Sequence, residues 1–406
     1  MSEPLQQDAF ILHVNSCLTP YERIHNASIM VRGGFIQAVG GHSAFSVLDD
    51  IPAIRLPDCD AIPGMIDTHL HGSGGFAAMS ADIDNDLAAM SRVLAERGVT
   101  SFVPAVLSAE REKMMAVTAA LVRALDRDHP GAVPVGIHLE GPYLSQEKRG
   151  TQSPRAIRPV DLGELDELLA AGEGRVRIMT FAPELKESHR LVERLREENV
   201  SPSMGHSMAE AEVVLRAIEV GACRCTHFYN GMPPLDRRRV GLTAVALTDD
   251  RVTIELIADG VHVHPRMIDL VCRAKPPHLL VTVSDAVQGA GLPEGVYQLG
   301  EDRIQITDGS SRRVADGKLA GSCLGLDHAM RNLRSFTALS DAEAVASCSH
   351  TPALSIGLTD RGAIQPGLRA DIVVLDDAQE IQMTVVEGRI VYDKRGAGQL
   401  GEAVYA

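Results

Sequence analysis

Two histidines one residue apart, His69 and His71, end a short apolar run that begins at residue 61 and leads into a glycine-rich turn. In a β-strand, residues i and i+2 point to the same side, so both imidazoles can face one point at the end of the strand. This arrangement suits a pair of metal ligands. It is also compatible with two surface histidines on one strand face, and the rest of the chain decides between these interpretations.

Four later strand-like segments also end in a side chain that can bind metal or transfer protons. Glu140, His206, His227 and Asp285 each lie at or just past the C-terminal end of an apolar run. In a (β/α)8 barrel, the active-site residues come from several strands and lie at their C-terminal ends. Five such endings in order along one chain predict an α/β fold, a TIM barrel with its site at that face.

The middle of the chain and its two ends show different patterns. Residues 61–361 alternate strand-like and helix-like segments, for example a helix over 82–97 followed by a strand over 100–107, which indicates parallel strands. The ends carry short apolar runs separated by turn signals, which are typical of hairpins. We therefore predict that residues 1–60 and 362–406 form a small β-sandwich domain beside a barrel of residues 61–361. A length of 406 residues accommodates both units.

Composition excludes several classes of function. The net charge is -15 and the chain has no long block of lysine and arginine, so nucleic-acid binding is not expected. No segment approaches the roughly 20 apolar residues of a membrane span, and the N-terminal residues lack the features of a signal peptide. Seven cysteines without zinc-ribbon spacing predict a reduced, cytoplasmic protein. The densest basic cluster, residues 237–239, is either a solvated loop or an anion-binding site.

The strand-end residues include a complete set of metal ligands. Glu140, His206 and His227 supply donor atoms that zinc and iron(II) accept, and three ligands leave a position open for water. His69 and His71 could bind a second ion bridged through Glu140. The sequence therefore predicts one or two divalent ions per chain.

Asp285 is a candidate general acid-base. A metal lowers the pKa of a bound water from about 15.7 to about 7, which gives a nucleophile at neutral pH. A carboxylate beside that water could take its proton and later give it to a leaving amine. A strand-end cap or a further metal ligand are the alternative roles of Asp285.

The motifs of this chain resemble those of one enzyme family. HLHG, HLEGPYLS, MGHS, THFYNGM, IADGVHVHP, VSDA and LAGS occur in this order and are similar to those of the N-acetylglucosamine-6-phosphate deacetylases of the amidohydrolase superfamily. The resemblance covers nearly the whole chain; THFYNGM and HLEGPYLS are specific to the deacetylase branch, whereas HLHG occurs across the superfamily. It implies a metal-dependent hydrolase that removes acetate from N-acetylglucosamine 6-phosphate and acts as a homodimer.

The resemblance also implies a role for individual residues. On this pattern Glu140, His206 and His227 hold the catalytic metal, and Asp285 is the general acid-base. Substrate contacts are implied for a further set: Gln152 near the acetyl group, Asn230, Gly231, Arg238 and His262 around the phosphate, and Leu319, Ala320 and Gly321 along the sugar pocket. An acidic protein that binds a phosphate needs a local arginine, which is an independent reason to single out Arg238.

Two positions depart from the family pattern. Gln152 stands where many members have a histidine that is thought to polarise the acetyl carbonyl, and it is either a weaker donor or a plain loop residue. A second metal held by His69 and His71 could supply the missing Lewis acid. The segment RRRVG replaces a common REPG, which leaves open whether the sugar is of the glucosamine or the galactosamine series.

Two other functions remain compatible with the sequence. One is a different amidohydrolase acting on a cyclic or N-acyl amide, such as a dihydroorotase, a hydantoinase or a D-aminoacylase. The first two commonly bridge their metals with a carboxylated lysine, whereas the corresponding strand here ends in Glu140 and the next lysine is Lys148. The other is a non-catalytic scaffold, and the complete ligand set with Asp285 argues against it.

Overall fold

The computed structural model of the protein describes residues 9–45 and 51–396; the parts of the predicted terminal domain in residues 1–8, 46–50 and 397–406 lie outside the described residues. In chain order the strands are β1 (Ala9–Leu18), β2 (Arg23–Arg32), β3 (Phe35–Gly41), β4 (Ala53–Pro63), β5 (Met65–Leu70), β6 (Gly72–Ser73), β7 (Phe76–Ala77), β8 (Val99–Leu107), β9 (Val133–Pro134), β10 (Ile137–Glu140), β11 (Val176–Phe181), β12 (Ser201–Met204), β13 (Arg224–Cys225), β14 (Thr253–Ile257), β15 (Leu280–Val283), β16 (Gly295–Leu299), β17 (Asp302–Thr307), β18 (Ser310–Arg313), β19 (Ile372–Leu375), β20 (Ile381–Val386) and β21 (Arg389–Asp393). The α-helices are α1 (Ile83–Glu96), α2 (Arg111–Leu125), α3 (Leu162–Ala171), α4 (Ser188–Glu197), α5 (Ala211–Glu219), α6 (Leu242–Thr248), α7 (Pro265–Ala274), α8 (Leu326–Phe336), α9 (Asp341–Cys348) and α10 (His350–Ser355). Short 3-10 helices lie at His42–Phe45, Gln146–Lys148 and Pro277–Leu279.

Eight parallel strands form the central barrel, in the order β5, β8, β10, β11, β12, β13, β14 and β15, with β9 paired to β8 beside this path. Each barrel strand is followed in the chain by one helix, from α1 to α8. The first and last strands meet where the backbone N–H of Asp285 donates to the carbonyl of His69 at 2.9 Å, and that of His71 donates to Ala286 at 2.7 Å. The predicted TIM barrel is confirmed.

Helix α1 shows how the sequence covers this barrel. Its buried residues include Ile83, Leu87, Met90 and Leu94, which recur at the spacing of one helical face. The helix begins after Asp82, whose side chain accepts a hydrogen bond from a backbone N–H of the first turn. The barrel strands are therefore buried on both faces, and β5, for example, is buried along its whole length.

The two chain ends meet in a second sheet with the strand order β21, β20, β19, β4, β1, β2, β3. Strands β1 and β4 are parallel, and the other described neighbours are antiparallel. Hydrogen bonds thus join all seven strands of the predicted terminal β domain into one continuous sheet, whose apolar side chains share a common core. Strand β4 continues to Pro63, past the predicted boundary at residue 60.

One buried arginine ties this terminal sheet to the barrel. Arg361 donates to the Ser101 hydroxyl in β8 at 2.8 Å and to the Glu387 carboxylate, just past β20, at 3.2 Å. Its guanidinium also lies 3.5 Å from the buried carboxylate of Asp371. The joint between the two units is therefore an ionic network that is largely removed from water.

An insertion after β15 adds a small antiparallel sheet of β16, β17 and β18 that was not predicted from the sequence. It places Leu299 against the cleft at the C-terminal end of the barrel. Among the described residues, no helix combines the length and the apolar character needed to cross a membrane.

Candidate metal centre and active site

Six predicted side chains converge at the C-terminal end of the barrel strands. Three of them, Glu140 at the end of β10, His206 after β12 and His227 after β13, are called here the central group. The other three, His69 and His71 at the end of β5 and Asp285 after β15, lie where the first and last strands meet and are called the seam group. None of the six is more than 8% exposed.

The central group has the geometry of a metal site. The Nε2 atoms of His206 and His227 lie 3.0 Å apart, and they lie 3.0 and 3.1 Å from Oε1 of Glu140. Ligands about 2.0–2.1 Å from a tetrahedral metal are separated by roughly 3.3 Å, so these atoms need only a small adjustment. Burial opposes ionisation of Glu140, but hydrogen bonds from both imidazoles outweigh it and hold its pKa well below the usual range. The site therefore offers one carboxylate and two imidazole nitrogens to a single cation.

The seam group also lies close to Glu140. The Nε2 atom of His71 lies 3.2 Å from Oδ1 of Asp285 and 3.4 Å from Oε2 of Glu140, and Nε2 of His69 lies 3.7 Å from the same Asp285 oxygen. This His69 nitrogen is buried and has no hydrogen-bond partner among the described residues. A buried polar atom without a partner is costly, and a cation beside it would remove that cost. The three seam-group side chains therefore also have donor atoms close enough together to hold a divalent cation.

Asp285 is held as a carboxylate. Burial raises the pKa of Asp285. The hydrogen bond from His71 and the charge of His69 lower it by more than burial raises it, so the pKa lies below the usual range. A group in this state accepts protons, as a general base must.

The outer nitrogens of two site histidines are occupied. His206 Nδ1 donates to the carbonyl of Lys148 at 2.7 Å, and His69 Nδ1 lies 3.0 Å from Oε2 of Glu255. Partners of this kind orient a metal-binding imidazole and leave Nε2 free for the metal. Glu255 was not among the predicted site residues, although a charged residue in the middle of the buried strand β14 is a signal that could have identified it.

Three of the six residues have strained backbones. The φ angles of His206, His227 and Asp285 are +46°, +28° and +48°, in a region that non-glycine residues rarely adopt. Such strain persists where the surroundings impose it, and it is concentrated at functional sites. Gly231, at φ +63°, packs against the His206 side chain: a Cβ at position 231 would lie 3.0 Å from Nδ1 of His206. The close approach explains why glycine occupies this position.

Gln152 lies beside the shared carboxylate. It is 2% exposed, its Nε2 donates to Oε2 of Glu140 at 2.7 Å, and its Oε1 accepts from the backbone N–H of Ser108 at 2.8 Å. It is therefore a buried side chain whose amide oxygen and nitrogen are both hydrogen-bonded. Its amide lines the cleft but is committed to Glu140 in this arrangement.

Most of the predicted substrate residues line the cleft beside the metal centre; they are Gln152, Asn230, Gly231, His262, Leu319 and Gly321. His262 Nδ1 is paired with the Asp259 carboxylate at 2.6 Å, which leaves its Nε2 for a ligand. Two predicted residues are not brought into the cleft. Ala320 is buried and its backbone is hydrogen-bonded to Ser311. Arg238 lies in an exposed loop, where its backbone N–H donates to Asp236.

The chain is similar to known amidohydrolases over most of its length. Residues 61–391 match the amidohydrolase family. The chain is 33% identical over 393 residues to the N-acetylglucosamine-6-phosphate deacetylase of Bacillus subtilis (strain 168), which covers 94% of this chain and 97% of the relative. It is 35% identical over 329 residues to the N-acetylgalactosamine-6-phosphate deacetylase of Escherichia coli O157:H7, which covers 81% of this chain and 86% of the relative.

A solved structure is similar in fold as well as sequence. It is an aspartate-to-alanine mutant of the Mycobacterium smegmatis N-acetyl-D-glucosamine-6-phosphate deacetylase in complex with N-acetyl-D-glucosamine-6-phosphate. The two chains are 31% identical with a TM-score of 0.87, and the match covers 95% of this chain and 100% of the other. This chain therefore belongs to the amidohydrolase family, and within it to the family of the N-acetylglucosamine-6-phosphate deacetylases.

Proposed function

We propose that this protein hydrolyses the acetamide of N-acetylglucosamine 6-phosphate to glucosamine 6-phosphate and acetate. The observation that carries the proposal is the central group, whose three donor atoms lie 3.0–3.1 Å from one another in the cleft that Asp285 also lines. The similarity to deacetylases that act on amino-sugar phosphates supports the same reaction. The cofactor is a divalent metal, zinc or iron(II), with one or two ions per chain.

The chain's own residues would bind the metal and move the proton. Glu140, His206 and His227 would hold the catalytic ion, which when bound acidifies a water molecule by several pKa units. Asp285 would take the proton of the water molecule that attacks the acetyl carbon. The same group would then give the proton to the sugar nitrogen as the C–N bond breaks, so that acetate and a free amine leave. Each proton removed by Asp285 is thus returned within one turnover.

The substrate would bind in the cleft beside Asp285. Asn230, Gly231 and His262 would contact the phosphate, and the turn formed by Leu319, Ala320 and Gly321 would line the sugar. Arg238 would pair with the phosphate dianion. Because Arg238 lies outside the cleft, it would have to reach the phosphate through movement of its loop or from a second copy of the chain.

The proposed setting of the enzyme is a homodimer in the cytoplasm. A second copy would offer one route by which Arg238 reaches the phosphate. All seven cysteines carry free thiols, which suits a reducing compartment. Sedimentation velocity at micromolar concentration tests the dimer directly.

The alternative substrate is N-acetylgalactosamine 6-phosphate. The similarity to an E. coli enzyme of that name favours this possibility. The two sugars differ only at one hydroxyl, so discrimination depends on whether a polar group of the cleft is left unpaired with the wrong sugar.

A different amidohydrolase reaction is less well supported by the metal centre. Dihydroorotases and hydantoinases commonly bridge their metals with a carboxylated lysine, whereas the corresponding strand here, β10, ends in Glu140. The next lysine, Lys148, donates instead to the carbonyl of Met232 at 3.1 Å.

Acetate release tests the proposal. Metal-replete enzyme, with its zinc and iron content measured, is incubated with N-acetylglucosamine 6-phosphate and with N-acetylgalactosamine 6-phosphate. We expect turnover on at least the glucosamine substrate, and the ratio of the two kcat/KM values assigns the sugar. Absence of acetate release from N-acetylglucosamine 6-phosphate would contradict the proposal, and release from N-acetylgalactosamine 6-phosphate alone would favour the alternative substrate.

The number of metals is tested separately. If the seam group holds a second ion that replaces a polarising histidine, the wild type should contain two ions per chain. The His69→Asn, His71→Asn double variant should contain one and lose most of its kcat, because Gln152 offers only a neutral donor. Adding Gln152→His to it should restore part of the rate. One ion in the active wild type, or a double variant with undiminished turnover, would end this idea.

A further inference from the structure

The barrel contains a buried ion pair that the proposed reaction does not use. Glu255 in β14 and Arg224 in β13 are both fully buried, and Nε of Arg224 donates to Oε1 of Glu255 at 2.7 Å. Burying two charges costs several kcal/mol each in desolvation, and well-packed apolar side chains often serve stability as well or better. The pair therefore calls for a role besides stability.

The second oxygen of Glu255 points to that role. Oε2 lies 3.0 Å from Nδ1 of His69 and accepts the backbone N–H of His227 at 3.1 Å. One carboxylate oxygen thus contacts a member of the seam group and a member of the central group. The inner Nε2 of the same His69 is the buried nitrogen that has no partner among the described residues.

Arg224 fixes the position of this carboxylate. Besides Glu255, its guanidinium donates to the hydroxyls of Thr68 and Ser355, each at 2.6 Å. Thr68 precedes His69 in β5, so the arginine is anchored to the same strand as the histidine. These contacts leave Glu255 little freedom to turn away from His69.

We propose that Glu255 is a positioning residue that holds His69 with Nδ1 as donor and Nε2 directed at the metal, and that Arg224 locks Glu255 in that role. The inference rests on the proposed metal-dependent function and deepens it. Outer carboxylates of this kind typically contribute about 10–100-fold to metal affinity. Because Glu255 also binds the His227 backbone, it sets the spacing between the two halves of the metal centre.

A third metal site at the same place does not explain the contacts. His69, His138 and Glu255 have donor atoms within 4.8 Å of one another. However, both oxygens of Glu255 already carry hydrogen bonds, and the Arg224 guanidinium lies 2.7 Å away. A cation there would be repelled by the arginine, so orientation of His69 accounts better for the arrangement.

Zinc binding without substrate tests the proposal. Protein stripped of metal is titrated with Zn²⁺ in competition with a chromophoric chelator, and the unfolding of the metal-free form is followed in parallel. The main variant is Glu255→Gln with Arg224→Met, which removes both charges and leaves neither buried alone. It is made in the wild type and in a His69→Asn background. Lys275→Met is the matched control, because Lys275 is another buried cation, and it donates to the backbone carbonyls of Ala246 and Asp249.

We expect the double replacement to weaken the loosest-bound zinc about 10–100-fold in the wild-type background. In the His69→Asn background the same replacement should change zinc affinity less than about 3-fold, because the residue through which Glu255 acts is gone. Lys275→Met should lower the unfolding temperature without changing zinc affinity.

Three outcomes would overturn the inference. They are an unchanged zinc affinity in a folded double variant, an equal loss in both backgrounds, and a wild type that binds no zinc. If the double variant does not fold, Glu255→Asp is used, which keeps the charge but shortens its reach, and it should weaken zinc in the same way. The double replacement could weaken zinc binding only when His69 is present, in a protein that releases no acetate. That result would support this inference while contradicting the proposed function.

Discussion

Replacing Asp285 by asparagine separates its chemical role from its structural one. The backbone N–H of Asp285 donates to His69 and its carbonyl accepts from Ser322 at 2.7 Å, so the side-chain change leaves the barrel seam intact. Its φ of +48° is tolerated by asparagine better than by most residues. The variant should therefore fold like the wild type and keep the ion of the central group, which does not include residue 285.

The expected loss follows from proton transfer. An amide at position 285 cannot take the proton of the attacking water, and positioned acid-base groups contribute about 10²–10⁴-fold. We expect kcat to fall at least about 10²-fold, equivalent to roughly 2.7 kcal/mol in the barrier. The hydrogen bond between residue 285 and His71 also weakens, because it loses its charge.

The assay measures acetate release and metal content on the same preparation, with the exposed Asp58→Asn as a control. Near-normal turnover in metal-replete Asp285→Asn would refute the acid-base assignment. Loss of metal together with activity would instead identify Asp285 as a ligand.

Other expectations concern the phosphate, the joint between the two units and the terminal sheet. Arg238→Ala should raise KM for the phosphorylated sugar far more than for its unphosphorylated analogue, since only the former is a dianion; equal losses on both, or the same effect from Arg237→Ala, would contradict a specific contact. Arg361→Ala removes the guanidinium beside the buried Asp371 carboxylate and should lower the free energy of unfolding in urea by about 3–5 kcal/mol; a loss below about 1 kcal/mol would contradict this expectation. Burial and, to a smaller extent, the charge of His42 lower the pKa of His13 to about 4. The His13 imidazole therefore binds a proton more tightly in the unfolded chain than in the folded one. Stability should therefore fall as pH drops from about 6.5 to 4, by on the order of 1–2 kcal/mol, and His13→Gln should flatten that part of a urea-unfolding pH series; an unchanged slope would refute it.

Local patterns were sufficient to predict the barrel and the terminal β strands. The predicted helix over 82–97 is α1 at Ile83–Glu96, and the strand predicted over 100–107 is β8 at Val99–Leu107. Both depend on hydrophobic periodicity and end signals that lie within the segment itself. The positions of His69, His206 and Asp285 at strand ends follow from the same local reasoning.

Features that depend on distant contacts could not be predicted. The sequence around Glu255 does not reveal that its partners are Arg224 and His69, 31 and 186 positions away. The anchoring of Gln152 on Glu140 and the exposure of Arg238 likewise depend on how loops fold over the barrel. Spacing along the chain constrains a strand face, but not which loop side chains meet above it.

The connectivity of the metal centre determines when it can form during folding. Glu140, His206 and His227 come from the middle strands of the barrel, whereas the seam group requires that β15 dock onto β5, which joins His69 to Asp285 across most of the barrel sequence. Contacts that close so long a stretch of chain form late, because the entropy of loop closure must be overcome first. We expect the central group to be complete while the seam is still open. A cation that binds the central group would then do so before the last strand docks.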